Sequence, residues 1–235
     1  MFLETFKHRT NISEIMDDFD LSGHELDAVL RDLNNVNKRL GGYKITINGI
    51  KKLLPQQNHT FKIADIGCGG GDNLREIAKW ARRKNISLEL YGIDANSNSI
   101  TTAKSLSDES DNITFLQQNV FDESFNKHQF DVIYLSLTLH HFKDKDIQKL
   151  LPILYQNSNL GVVINDLHRH WLAYLLFQIY SLLLMKSKIA KHDGKVSILR
   201  GFKKNELENF STIVKPKNLR LEWRWAFRYL CTFRK

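Results

Sequence analysis

Asp65-Ile66-Gly67-Cys68-Gly69-Gly70-Gly71-Asp72 sets a run of glycines between two carboxylates, and Asp94 closes the stretch YGIDAN farther on. Apolar residues precede the glycines and a helical pattern follows, so the run reads as a strand-to-helix turn where a ligand can approach backbone amides closely. A free helix N-terminus attracts anions. Here Asp72 occupies that end, and the last glycine comes one residue earlier than in the G-x-G-x-x-G spacing of dinucleotide sites. With Asp65 and Asp72 flanking the turn, a pyrophosphate would be repelled and a cationic ligand favoured. Asp94, ending the next strand, can accept hydrogen bonds from both hydroxyls of a ribose. The three acids together suit a nucleoside that carries a positive charge and no phosphate.

A second set of residues can move protons: His140 and His141 in TLHHFKDKD, Asp166 and His168 in NDLHRH, and His192 with Asp193 in KHDGK. Ligands of doubly wound sheets bind beyond the carboxyl ends of the strands, which puts residues 140, 141, 166 and 168 on one rim, with His192 closing over it from a loop. A histidine near its ordinary pKa of about 6.5 suits the removal of a hydroxyl proton. Plainer roles compete: either member of the histidine pair can cap the loop or pack beneath the ligand, and Asp166 can cap the following helix. His170 reads as a solvated first-turn residue. A metal trio of Asp166, His168 and His170 is disfavoured, because i, i+2 spacing on a helix points side chains to different faces; no metal is expected.

The elements that must position these residues alternate along residues 61–166: FKIADIG, DNLREIAKWARRK, LELYGID, SNSITTAKSL, NITFLQQN, FDVIYLSL, KDIQKLLPILYQN and LGVVIND. Near-continuous apolar strands joined through helices predict a parallel sheet covered on both faces, a doubly wound α/β domain. LRLEWRW and FRYLCTFRK add an antiparallel hairpin at the sheet edge. This makes a mostly parallel seven-stranded, Rossmann-like sheet over residues 56–235, with 167–200 as a substrate-side insertion. Residues 1–55 read as a helical cap, with Ser22-Gly23-His24-Glu25 as a capping box and Leu26, Val29, Leu30, Leu33 and Val36 as its apolar face. Residues 186–201 read as a polar loop.

Composition bounds the rest: 42% hydrophobic and 26% charged residues with 3 Pro and 12 Gly describe an ordinary globular chain. Cys68 and Cys231 form no CxxC pair, and the N-terminus lacks an apolar signal region, so a reducing, cytoplasmic setting is expected. The net charge of +8 is uneven: residues 186–235 hold 14 Lys or Arg against 4 Asp or Glu. That basic end keeps an anionic surface or substrate in view.

IADIGCGGG with YGIDAN resembles the first two motifs of class I S-adenosylmethionine-dependent methyltransferases, and the likeness covers every strand of 61–166 in order. The resemblance implies S-adenosylmethionine as cofactor, with Asp65, Gly67, Cys68, Gly69 and Gly71 at its amino-acid end and Asp94 with Ala95 at the ribose. Asn119 and Val120 would meet the adenine, and Ser136 with Leu137 would border the site after the fourth strand. The family usually has Asp where Asn119 stands. FDVIYLSLTLHHFKDKD resembles the branch acting on quinols, phenols and other small or lipid-like molecules, where a similar histidine pair follows this strand; with His192 from the loop, His140 and His141 are the candidate catalytic residues. EIMDDFDLSGHELDAVLRDLNNVNKRLGG, VVINDLHRHWLAYLL and KHDGKVSILRGFKKNEL extend the likeness to bacterial methyltransferases of polyketide-type pigment or alkyl-phenol pathways. The acceptor tetrad of nucleic-acid amino methyltransferases is absent, so RNA is disfavoured despite the positive charge. Salt-dependent RNA retention would revive that reading, and failure to turn over any acceptor would favour a cofactor-binding module.

WLAYLLFQIYSLLLM, residues 171–185, would span only about 22 Å as a helix, short of a bilayer's roughly 30 Å. Its apolar character all round argues for burial in a core or around an apolar acceptor. Asp166, His168, Arg169, Trp171, Tyr174 and Asp193 are therefore candidate acceptor-binding residues. Lys186, Lys188 and Lys191 follow the run directly and suit a contact with an anionic membrane or an acidic carrier protein through residues 171–191.

Overall fold

Apolar runs and amphipathic segments become seven strands and eight α-helices in the computed structural model, which describes residues 3–56 and 59–235. The strands β1 (Phe61–Ile66), β2 (Leu88–Asp94), β3 (Ile113–Gln117), β4 (Phe130–Ser136), β5 (Ser158–Leu167), β6 (Asn218–Arg224) and β7 (Arg228–Arg234) form one sheet in the order β3-β2-β1-β4-β5-β7-β6. Strands β1 to β5 pair in parallel, and β7 runs antiparallel between β5 and β6. The strand order reverses between β1 and β4, which is where open α/β sheets leave a crevice for ligands. The glycine turn follows β1, and the histidine pair follows β4.

The helices are α1 (Gly23–Arg39), α2 (Gly42–Leu53), α3 (Asp72–Lys84), α4 (Ser97–Ser105), α5 (Asp144–Gln156), α6 (Trp171–Leu184), α7 (Lys188–Arg200) and α8 (Lys204–Val214). On one face of the sheet Ile50, Leu53, Leu74, Ile77, Leu90 and Val163 share a buried cluster. On the other face Ile147, Leu150, Leu154, Phe202 and Phe210 pack beneath Ile133 and Ile164. No helix among the described residues is long and apolar enough to cross a membrane.

Three local readings change. Helix α2, expected within a separate cap, packs directly on β4, β5 and β7. Gly49 permits that approach, since a Cβ there would meet Val163 at 2.5 Å and Leu230 at 2.9 Å. Helix α1 and the segment before it line the chamber at the strand ends. Ser22 is its N-cap residue, but no side-chain cap hydrogen bond forms. The stretch expected as a loop after residue 186 is α7, begun by Ser187, whose hydroxyl accepts from the Ala190 amide at 3.2 Å. Asp32 of α1 accepts from the Lys186 and Ser187 amides, both at 2.8 Å, and so joins α1 to α7.

Candidate active site

At the end of β1, Gly67, Gly69 and Gly71 take left-handed backbone angles of +71°, +50° and +74°. At Gly71 a Cβ would also strike the Phe115 ring at 2.8 Å, so Gly71→Ala is expected to weaken cofactor binding by displacing the turn; titration of that variant with S-adenosylhomocysteine checks it. Gly71 shapes the turn without facing the chamber, whereas Gly67, Cys68 and Gly69 line it.

The turn draws three carboxylates together. Asp65 accepts from the Tyr134 hydroxyl at 2.9 Å through Oδ2, and its buried Oδ1 has no hydrogen-bond partner. Asp72 accepts from the Tyr43 hydroxyl. Asp94 accepts from the Gly69 amide through Oδ2 and from the Asn96 amide through Oδ1, both at 2.9 Å. Burial pushes all three acids above the usual carboxylate range, and at Asp65 the charges of Asp72 and Asp94 add to the effect. A cation placed against them would relieve this desolvation and repulsion. Ala95, Asn119, Val120, Ser136 and Leu137 also line the chamber. Asn119 Oδ1 accepts from the Phe121 amide at 3.0 Å, so that oxygen braces its own turn and keeps one lone pair for a ligand. Leu137 takes φ +57° as the chain turns from β4 toward the histidines.

The two histidines are each held from behind by an acid. His140 Nδ1 lies 2.7 Å from Asp166 Oδ1, and His141 Nδ1 lies 2.7 Å from Asp17 Oδ1. Both Nε2 atoms turn toward Glu14, at 3.5 Å and 3.9 Å. Burial opposes charge on the His140 ring, but Asp166 and Glu14 more than offset it and raise its pKa to about 9. The sequence expectation of an ordinary histidine pKa is therefore corrected for His140. Glu14, His140 and His141 bring one ligand atom each within 4.8 Å of one another. Arg200, 3.9 Å from Glu14 and paired to Asp17, sets a fixed positive charge against the same cluster and disfavours a metal ion there.

Several sequence candidates lie elsewhere. Asp166 is fully buried behind His140 and positions that ring; it does not line the chamber. His168 accepts from Trp223 Nε1 at 3.3 Å outside the chamber, and burial with nearby positive charge lowers its pKa to about 4. Trp171 and Tyr174 fall on the wrong faces of α6; Ala173, Leu176, Phe177 and Tyr180, spaced by a helical repeat, form the wall. His192 is an exposed residue of α7 and does not close over the site. Asp193 lines the chamber, but its carboxylate accepts from the Ile15 and Met16 amides at 2.9 Å each and thereby ties down the N-terminal segment. His170 caps α6, its Nδ1 accepting from the Leu172 amide.

Arg169 is a buried structural residue. Its guanidinium donates to both Glu206 oxygens, at 3.0 Å and 2.7 Å, and to the carbonyls of Phe6, Lys7 and Gly201. Arg169→Ala leaves these groups unpaired and is expected to destabilise the fold by about 3–5 kcal/mol, seen as a lowered midpoint of denaturation.

Sequence reasoning missed the N-terminal segment, where Arg9, Glu14 and Asp17 border a chamber of about 1200 Å³. Arg9 donates to the carbonyls of His140 and Phe142, both at 2.9 Å, and Arg200 donates to those of His140 and His141. The missed signal was Glu14 and Asp17 of EIMDD, acids with no oppositely charged side chain beside them in the sequence. Val29, Leu30, Leu33 and Val36 of α1 supply apolar wall.

A strand order of 3-2-1-4-5-7-6, with a glycine turn and acids at the switch point, defines the class I methyltransferase fold. Residues 63–158, less than half of the chain, match the family described as "Methyltransferase domain". A 2-phytyl-1,4-naphtoquinone methyltransferase of Trichormus variabilis is 29% identical over 110 residues, 45% of this chain and 46% of that protein. The chain thus spans about half the length of the curated relatives it matches. Among solved structures, the plantazolicin methyltransferase BpumL with SAH superposes with a TM-score of 0.63 at 18% identity, covering 86% of this chain and 87% of that one. Human N-acetylserotonin methyltransferase with SAM gives 0.66 at 16% identity, covering 100% and 62%. These two likenesses establish the fold.

Proposed function

We propose that this chain transfers a methyl group from S-adenosylmethionine to a small acceptor, an aromatic or polyketide-like hydroxyl that carries an apolar tail. The observation that carries the reading is the trio of acids around a phosphate-repelling glycine turn, Asp65 buried and Asp72 and Asp94 half-buried, with Asp65 Oδ1 left without a partner. Asp65 and the Gly67–Gly69 backbone would hold the charged amino-acid end, Asp94 the ribose hydroxyls, and Asn119 with Val120 the adenine. When bound, the cofactor would supply an electrophilic methyl group to the acceptor's oxygen, its sulfur keeping the C–S electron pair and leaving as neutral S-adenosylhomocysteine.

The chamber's volume of about 1200 Å³ exceeds the roughly 300–1,000 Å³ of ordinary ligand pockets and allows two ligands side by side. Leu33, Val36, Leu176 and Phe177 would enclose the tail, while His140 and His141 meet the hydroxyl. His140 holds a proton to about pH 9, close to a phenol's own acidity near 10, so it can take that proton or stand as a cation beside the phenolate. Asp166 keeps Nδ1 bonded and Nε2 turned forward. Holding donor and acceptor in line contributes more than proton transfer, about 7–11 kcal/mol against a factor of roughly 10² to 10⁴. The naphtoquinone in the curated relative's name supports an aromatic acceptor with a lipid tail, and ring-carbon methylation of a quinol is the close variant.

Calorimetric titration with S-adenosylmethionine and S-adenosylhomocysteine, followed by methyl-label transfer to phenols, quinols and acyl-linked polyketides, tests the assignment. An intact chain that binds neither nucleoside would overturn it.

A further inference from the structure

Helix α6 leaves an apolar face bare. Leu175, Leu176, Ile179, Leu182 and Leu183 recur along it at helical spacing and are exposed, the last two at 75%. Core helices of water-soluble proteins bury such residues, so a bare run marks a contact surface. At its N-terminal end stand three exposed tryptophans. Trp171 stacks on His170, His170 on Phe227, and Phe227 touches both Trp223 and Trp225, with ring centroids 5.4–5.9 Å apart throughout. At the C-terminal end Lys186 and Lys188 are exposed. Residues 171–191 hold three lysines and no carboxylate.

We propose that this face docks on an anionic lipid bilayer and that the acceptor enters the chamber from it. Three observations select a membrane as the occupant. The helix is about 21 Å long, suited to lying in an interface and too short to cross one. Tryptophans favour the headgroup boundary, where ring and N–H are both satisfied. The lysines complement anionic headgroups beside the leucines. Leu176 and Trp225 belong both to this surface and to the chamber lining, so the apolar face runs continuously into the acceptor pocket. The entry route extends the acceptor reading above and rests on it; the docking surface is tested without turnover.

The experiment is flotation of the full chain with phosphatidylcholine vesicles, with and without phosphatidylglycerol, alongside S-adenosylhomocysteine titration and sedimentation velocity. The expected result is a monomer that floats with phosphatidylglycerol vesicles, stays largely off pure phosphatidylcholine, and is released by salt. Reversing the charge in K186E/K188E should lower partitioning at least roughly 30-fold, and L182E/L183E should abolish it. All four positions lie outside the chamber lining, so both variants should keep the parent's affinity for S-adenosylhomocysteine, which also verifies their fold. A chain that binds the nucleoside yet stays off anionic vesicles would overturn the proposal. So would a dimer that L182E/L183E converts to monomer, because a second copy would then own the face. Vesicle binding without nucleoside binding would instead fail the methyltransferase reading and leave the surface standing.

Discussion

Asp94→Ala is expected to weaken S-adenosylhomocysteine binding by roughly 10² to 10⁴-fold. The carboxylate ends β2 and, in the proposed complex, accepts from two ribose hydroxyls. Each hydrogen bond to a charged group is worth about 1.5–3 kcal/mol, and every 1.4 kcal/mol is tenfold in affinity. The residue also fastens the Gly69 amide at 2.9 Å, so its loss loosens the turn that shapes the rest of the site. The fold should survive, because removing Asp94 relieves a desolvated acid that the protein itself does not neutralise. Titration calorimetry and a denaturation midpoint measured on the same sample separate the two effects. Unchanged affinity would remove Asp94 from the cofactor site.

The second large effect concerns His140. His140→Ala should lower kcat/KM for a phenolic acceptor by roughly 10² to 10⁴-fold while leaving cofactor affinity near its parent value. In the parent chain the ring is protonated below about pH 9, since Asp166 and Glu14 outweigh its burial. A reaction that needs the neutral ring, or equivalently a phenolate beside the charged one, therefore accelerates with rising pH and levels off near pH 9. Asp166→Asn withdraws the larger of the two opposing charges, so the rise should move to lower pH. A merely structural acid would reduce the rate without moving the profile. A flat profile from pH 6.5 to 9 would exclude His140 as the proton acceptor. Stability runs the other way: a folded-state pKa above the unfolded 6.5 gives a contribution that is complete below pH 6.5 and is lost as pH rises through 9.

The glycine turn and its acids were legible because they are local. Strand, glycine turn, helix and the acid of the next strand occupy residues 61–94, and parallel pairing brings the strands' carboxyl ends to one edge, with Asp65 opposite Gly92 and Tyr134. Each residue's side of the chain follows from periods of 2 and 3.6, which are properties of the sequence itself. The opposite wall of the chamber was legible only in part. NDLHRHW placed an acid, four other polar side chains and an aromatic close together, but β5 ends at Leu167 and α6 begins at Trp171, so the chain between them turns and the residues part. Asp166 faces the histidine, Arg169 the interior, and Trp171 the solvent.

Composition, a mostly parallel seven-stranded sheet with an antiparallel edge hairpin, and the three acids around the glycine turn were thus legible in the sequence alone, since backbone periodicity and turn chemistry act over a few residues. Only the tertiary structure decided that Asp17 and Glu14 stand across 124 and more residues from His140 and His141, that Asp166 works from behind the ring, and that α6 turns its Trp171 and Leu182 outward. Those outcomes depend on which helix face finds a partner and on how buried charges are paired, and both are settled by packing between segments distant in the chain.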